Sequence, residues 1–322
     1  MRRNPLLISA GILVVTVSAV IAVRYLHTYE SSAQAGAPPA AVGSGNTSDG
    51  DNPDADPSEP ATPDIAGDPA LKQRFEAAGA MVAAAKGMSV IVRDRKSGGE
   101  WRSGETTHPS WTTSTIKLAM AVNLLERNRT GEIKLDTAAR KLIAAMLDTS
   151  SDAAADALWD KYGGEGFVVW FQQQYGMAGL TFPAGAQHRW SHLKGTTEDL
   201  VRLMTYVLDR ADPADRDYLV AAMRRPGAVQ QWGVWAAGGA QQPGVTNGWS
   251  LEADGGTRHW VTHSVGFAGP DGQYAIAVMY DLPAGAKIDT GVQSVSNVIA
   301  TLFGAPTPAP VKVPPAAPAA RK

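Results

Sequence analysis

The chain has 322 residues, of which 44% are hydrophobic and 19% charged, with a formal net charge of −2. That is enough for one good-sized core or two small ones, and the near-neutral balance leaves no electrostatic footprint for nucleic acid. Cysteine is absent, which excludes disulfides, thiol catalysis, thiolate metal sites and lipoprotein acylation.

In chain order, the first element is the apolar run Leu6–Val23, preceded by Arg2 and Arg3. At 1.5 Å per residue such a run reaches about 27 Å, close to the thickness of a bilayer core. The positive-inside rule then places the N-terminus in the cytoplasm and the rest of the chain outside. A cleaved signal peptide is the alternative, with Ala33-Gln34-Ala35 as its site. That site lies far beyond a run already long for a signal peptide, so an uncleaved single-pass anchor over residues 1–30 is the preferred reading. Residues 31–69 are rich in proline and acidic residues and hold no basic one. They read as a disordered tether.

A folded domain is expected over residues 70–304. It opens with an Ala-rich helix, Leu71–Lys86, and a strand, Met88–Asp94, that turns back at Lys96-Ser97-Gly98-Gly99. A helical block runs from Ser114 to about Arg224, with helices near 114–129, 135–148, 151–161, 165–175 and 197–210. Strands return at 257–267 and 272–281 around the turn Gly269-Pro270-Asp271-Gly272. A last helix spans 289–303, and the Pro/Ala-rich residues 305–322 read as a disordered tail. This order predicts an α+β fold: an antiparallel sheet with the first and last helices on one face and a helical lobe beside it.

Chemistry enters at Ser114-Thr115-Ile116-Lys117, which opens a helical pattern. A serine hydroxyl needs a base before it is a good nucleophile. Residues three apart share a helix face, so Lys117 can lie beside the Ser114 oxygen. Burial can lower the pKa of a lysine enough for it to act as that base. The helix N-terminus adds positive charge where an oxyanion forms. A short motif of this kind also fits an N-capping serine beside an exposed lysine.

Two later segments accompany it: Ser150-Ser151-Asp152, and Val245-Thr246-Asn247-Gly248-Trp249 followed by Trp260–Gly266. Together the three segments resemble the S-x-x-K, S-D-N and K-T-G motifs of the penicillin-recognising serine hydrolases, in particular the class A β-lactamase-like branch. The resemblance covers about residues 70–304, with the first motif intact and the other two degenerate. It implies that Ser114 is the acylated nucleophile, Lys117 the base and Ser150 the proton-shuttling serine. Register is set by the apolar positions Ala154, Ala155 and Leu158; pairing Ser151 with Asp152 as "S-D" would turn that face by about 100°. Asp152 then stands where the family has Asn. A carboxylate only accepts hydrogen bonds, whereas an amide also donates.

The resemblance also implies that Asn247 and Gly248 meet the substrate and that the Trp249 and Ser114 N–H groups form the oxyanion hole. Thr246 replaces the family lysine that attracts a substrate carboxylate. His259, beside Arg258, falls where many relatives carry a carboxylate-binding arginine. The deacylating glutamate has no counterpart, since Gly179–Gly195, ahead of the helix start Thr196-Thr197, holds no Asp or Glu. Glu165 comes too early and Glu198 lies inside the helix.

His188 and His192 have the spacing of a metal pair but no third ligand, so no metal or other cofactor is expected. The tryptophans read mostly as packing, with Trp111 and Trp249 near motifs. The reading is a membrane-anchored extracytoplasmic serine hydrolase acting on β-lactams or peptidoglycan stem peptides. A catalytically impaired relative serving as a cell-wall binding or scaffolding module is the alternative.

Overall fold

The computed structural model describes residues 69–314. The expected span Leu6–Val23 and the tether up to residue 68 lie outside the described residues. Among those described, no helix is long and apolar enough to cross a membrane.

A five-stranded antiparallel sheet in the order β2-β1-β7-β6-β5 organises the domain. Its strands are β1 (Met88–Asp94), β2 (Glu100–Ser103), β5 (Gly244–Asp254), β6 (Thr257–Ala268) and β7 (Tyr274–Asp281). Successive side chains of a strand point to opposite faces, and β1 shows both faces buried. Val90 and Val92 enter one core while Ile91 enters the other. The first of these cores is closed by α1 (Pro69–Ala85) and α8 (Ile288–Phe303), through residues such as Phe75, Val82, Val295 and Ile299. The second lies under the helical lobe: α2 (Ile116–Arg129), α3 (Thr137–Asp148), α4 (Asp152–Tyr162), α5 (Gly166–Tyr175), α6 (Thr197–Asp209) and α7 (Pro213–Met223). The α+β architecture expected from the element order is the one observed.

Local chemistry sets the helix starts. Asp136 caps α3 by accepting from Ala139 N–H. Thr196 and Asp199 form a reciprocal capping box on α6. Asp212 caps α7 with Pro213 at its first position, a start signal not used in the sequence reading. A two-stranded piece, β3 (Ser110–Trp111) with β4 (Lys194–Gly195), was also not anticipated. It is too short for a periodic pattern to reveal.

The C-terminal expectation needs one correction. Residues 305–314 pack on the domain rather than hanging free. Val313 is buried, and Val311 packs against the α1/α8 core. The Gln293 amide donates to Pro308 O at 3.2 Å, and Trp249 Nε1–H donates to Pro314 O at 2.8 Å. Composition alone does not register two valines spaced to cover an apolar face.

Candidate active site

α2 is apolar on nearly every side and runs through the centre of the lobe, with Ile116 to Leu125 all buried. A lysine in its first turn is therefore carried inside, and the Lys117 side chain is only 1% exposed. Ser114 sits just ahead, in the 3-10 turn Thr113–Thr115. Thr112 N–H anchors that turn on Leu193 O at 2.8 Å, and Thr115 Oγ1–H closes it on Thr112 O at 2.5 Å. Thr113 has φ +50°, in the left-handed region that a β-branched residue avoids. Ser150, in the tight turn between α3 and α4, has φ +58°. Strain of this kind costs roughly 1–3 kcal/mol per residue and collects at functional sites.

These turns bring three predicted residues to one point. Lys117 Nζ donates to Ser150 O at 2.7 Å, to Ser150 Oγ at 3.1 Å and to Asp152 Oδ1 at 2.6 Å. The two possible serines separate cleanly: Ser150 meets Lys117, while Ser151 Oγ accepts from Ala154 N–H and caps α4. Burial pushes the Lys117 pKa down, opposed by the nearby Asp152 and Asp156 carboxylates. An ammonium has three protons, and all three are committed to Ser150 and Asp152. None points to Ser114.

Trp190 lies against Lys117, its ring centre 4.5 Å from Nζ. Trp190 is buried, and its indole N–H donates to Asp156 Oδ1 at 2.8 Å. The sequence reading left Trp190 among the packing tryptophans. Its one available signal was its place in the loop ahead of Thr196-Thr197.

The opposite wall is β5, an edge strand of the sheet. A Cβ on Gly248 would collide with Thr113 Oγ1 and lie 2.8 Å from Ser114 N. Only glycine lets the strand approach the serine turn so closely. Thr246 shares this strand face and is buried. Asn247 faces the other way, and this corrects the expectation for its side chain. Its amide donates to Gln230 O at 2.8 Å and Trp232 O at 3.3 Å, and the residue is fully buried. Asn247 N–H leaves the free edge for Gln230 Oε1 at 2.7 Å. By the two-residue period Trp249 N–H leaves the same edge, beside the Ser114 turn. The Trp249 indole lies on the other face, edge-on to Trp232 and held by the C-terminal segment.

His259 is not brought to the site. The β5–β6 hairpin runs out to Asp254 opposite Thr257, so the residue opposite Gly248 is His263. His259 lies four residues further along, about 13 Å at ~3.3 Å per residue. There it faces Asp254 at 3.7 Å and lines a separate groove with Arg258, Trp260 and Ile288. His263 is buried and joins the walls: its Nε2–H donates to Trp111 O at 2.8 Å, and Nδ1 accepts from Tyr280 N–H at 3.0 Å. Burial lowers its pKa. At the mouth, Lys194 Nζ donates to Asp254 Oδ1 at 2.6 Å and stacks over Trp111, tying the loop to β5. His188 pairs with Glu165 at 2.8 Å, and His192 engages Gln187 O at 2.9 Å. No cluster able to hold a metal ion occurs among the described residues.

No protein-family model matches the chain. It is 26% identical over 242 residues to LppW of Mycobacterium tuberculosis, covering 72% of this chain and 74% of that protein, whose name carries a provisional lipoprotein assignment. LppW of Mycobacterium bovis matches equally. Solved structures align over nearly their whole length. The TLA-3 extended-spectrum β-lactamase aligns with TM-score 0.61 and 15% identity over 73% of this chain and 98% of its own. A β-lactamase from Chitinophaga pinensis gives 0.59 and 15%, over 72% and 98%. PBP-A gives 0.57 and 18%, over 72% and 95%. The chain has the class A β-lactamase fold. At these identities the likeness speaks for the fold alone.

Proposed function

We propose that the protein is an extracytoplasmic acyl-serine hydrolase or transferase-type enzyme that reacts with β-lactams or peptidoglycan stem peptides. The observation that carries this reading is the convergence of Ser150 and a buried, pKa-depressed Lys117 behind a strained turn that presents Ser114. In its neutral form Lys117 takes the Ser114 proton as Oγ attacks the carbonyl carbon. The Ser114 and Trp249 N–H groups receive the oxyanion. Ser150 passes the proton to the nitrogen as the C–N bond breaks.

One observation favours a second reading, a binding module that keeps the fold without the chemistry. Asp152 and Ser150 hold Lys117 as an ammonium, and Thr246 offers no cation to a substrate carboxylate. The deciding experiment is labelling of the full-length protein with a fluorescent penicillin. The enzymatic reading expects a covalent band that Lys117→Ala loses. Absence of the band after long incubation at high probe concentration supports the binding module.

We further propose that Leu6–Val23 anchors the domain outside the cytoplasm. Arg2 and Arg3 ahead of the run support this, as does the similarity to LppW. With no cysteine in the sequence to carry a lipid, the apolar run itself supplies the anchor. Protease added to intact spheroplasts should release a fragment by cutting within residues 31–68, and protection would refute the topology.

A further inference from the structure

Resting on the acyl-serine reading, we propose that Trp190 is a shutter that keeps water from Lys117 and from the Ser114 ester, so that the site captures an acyl group and holds it. Three directions of Lys117 Nζ are filled by Ser150 O, Ser150 Oγ and Asp152 Oδ1. The Trp190 ring lies alongside these contacts, its centre 4.5 Å from Nζ. An indole face attracts a cation but offers a water only a weak π acceptor.

The ring is fixed from several directions. Its N–H is bonded to Asp156 on α4. Arg189, the preceding residue, reaches Asp156 at 3.4 Å and Asp160 at 3.5 Å. The short turn Trp190–His192 packs directly on the turn that carries Ser114. Both the N–H and the hydroxyl of Thr112 bond Leu193 O, which stitches the two turns together.

The consequence follows from the two halves of the reaction. In acylation the Ser114 Oγ–C bond forms and the substrate C–N bond breaks. The Ser114 proton travels through Lys117 and Ser150 to the nitrogen, and no water is needed. Release requires a water oxygen to bond the acyl carbon as the Ser114 Oγ–C bond breaks and a proton returns to Oγ. That water needs a base and a place to stand. The loop Gly179–Gly195 supplies no carboxylate, and Trp190 fills the space beside the lysine. Acylation asks only that Lys117 lose a proton and exchange one of its contacts to Ser150 or Asp152 for Ser114, whereas release also asks for a water that the Trp190 ring keeps out.

The test compares wild type with Trp190→Ala, Trp190→Phe and Asp156→Ala in the full-length chain. First, intact-mass spectrometry follows decay of a penicillin adduct. The wild-type adduct persists for hours, Trp190→Phe behaves like wild type because it keeps a ring over Lys117, and Trp190→Ala loses its adduct at least tenfold faster. Asp156→Ala, which frees the indole without opening a cavity in the lobe, gives about a threefold acceleration. It decides the matter if Trp190→Ala does not fold. Second, peptide mapping after treatment with an amine-acetylating reagent reads access to Lys117 without any enzymatic step. Lys117 stays unlabelled in wild type and Trp190→Phe and labels at least tenfold faster in Trp190→Ala. If wild type forms no adduct, the acyl-serine reading falls and the labelling experiment alone judges the shutter. Equal adduct lifetimes in wild type and both opening variants, or equal Lys117 labelling in them, overturns it.

Discussion

The two walls of the cleft match the three motifs that the sequence resembles to different degrees. The helical wall brings Ser150 into hydrogen-bond contact with the buried Lys117, with Ser114 in the turn just ahead of the same helix. The sheet wall keeps the backbone path, with Gly248 against Ser114 and the Trp249 N–H on the free edge, but not the side chains that would dock an anionic substrate. Asn247 is turned into the core and Thr246 carries no charge. The difference teaches that the two walls are set by different means: the helical wall by a few residues held in local turns, the sheet wall by which strand positions face the cleft.

The most severe way to break the comparison is to separate the walls. Gly248→Ala places a methyl group against Thr113 Oγ1 and Ser114 N. Overpacking of this kind costs about 1–3 kcal/mol, and a displaced serine turn loses far more in rate. Covalent labelling should fall roughly a hundredfold or more, measured by gel fluorescence against a folded control. Labelling at the wild-type rate would show that the strand does not set the serine's position.

Changing one residue on each wall sharpens the comparison instead. Asp152→Asn removes a carboxylate that opposes deprotonation of Lys117, and Thr246→Lys supplies a cation facing the substrate. A charge-assisted hydrogen bond is worth about 1.5–3 kcal/mol. The double variant should therefore acylate roughly ten- to hundredfold faster in stopped-flow measurements, if that contact strengthens in the transition state. It should exceed either single change. Slower acylation by a well-folded double variant would contradict the assigned faces of β5.

His263 ties the walls together, and its titration should show in stability. Its folded pKa lies below the unfolded value of 6.5. Above 6.5 both states are neutral and nothing changes. As pH falls through that value the unfolded chain gains a proton that the folded one refuses, so stability drops, by at most about 1.4 kcal/mol per pH unit. Urea titrations at pH 7 and pH 5 should show this drop, flattened in His263→Gln. An unchanged slope would show that other groups govern the acid limb.

The smallest effect concerns stored strain. Thr113 combines a positive φ with a buried hydroxyl that has no partner. Thr113→Gly should raise stability by about 1 kcal/mol while slowing labelling, since the turn is no longer held. Lower stability would mean that the threonine methyl packing outweighs the strain.

These contrasts also explain what was legible in the sequence. That Ser114 and Lys117 stand at one helix start was legible from their three-residue spacing, without reference to the rest of the fold. The choice of Ser150 over Ser151 was legible for the same local reason, through Ala154, Ala155 and Leu158. His259 was misplaced because the length of the β5–β6 hairpin, which decides what stands opposite Gly248, leaves no count in the sequence. Asn247 was misplaced because a strand's period shows that neighbours face opposite ways, not which way each faces. Trp190 was missed because its contact with Lys117 joins distant segments. The packed stretch 305–314 was missed because proline-rich composition outweighed Val311 and Val313.

The central claim is that Ser114 is a working nucleophile in a site built for capture. Its most direct test is intact-mass spectrometry of the full-length protein with excess penicillin, followed by peptide mapping. The account predicts one adduct per chain, located on Ser114, lost in Ser114→Ala and persisting for hours after free penicillin is removed. No adduct in wild type, or an adduct that survives Ser114→Ala, would contradict it.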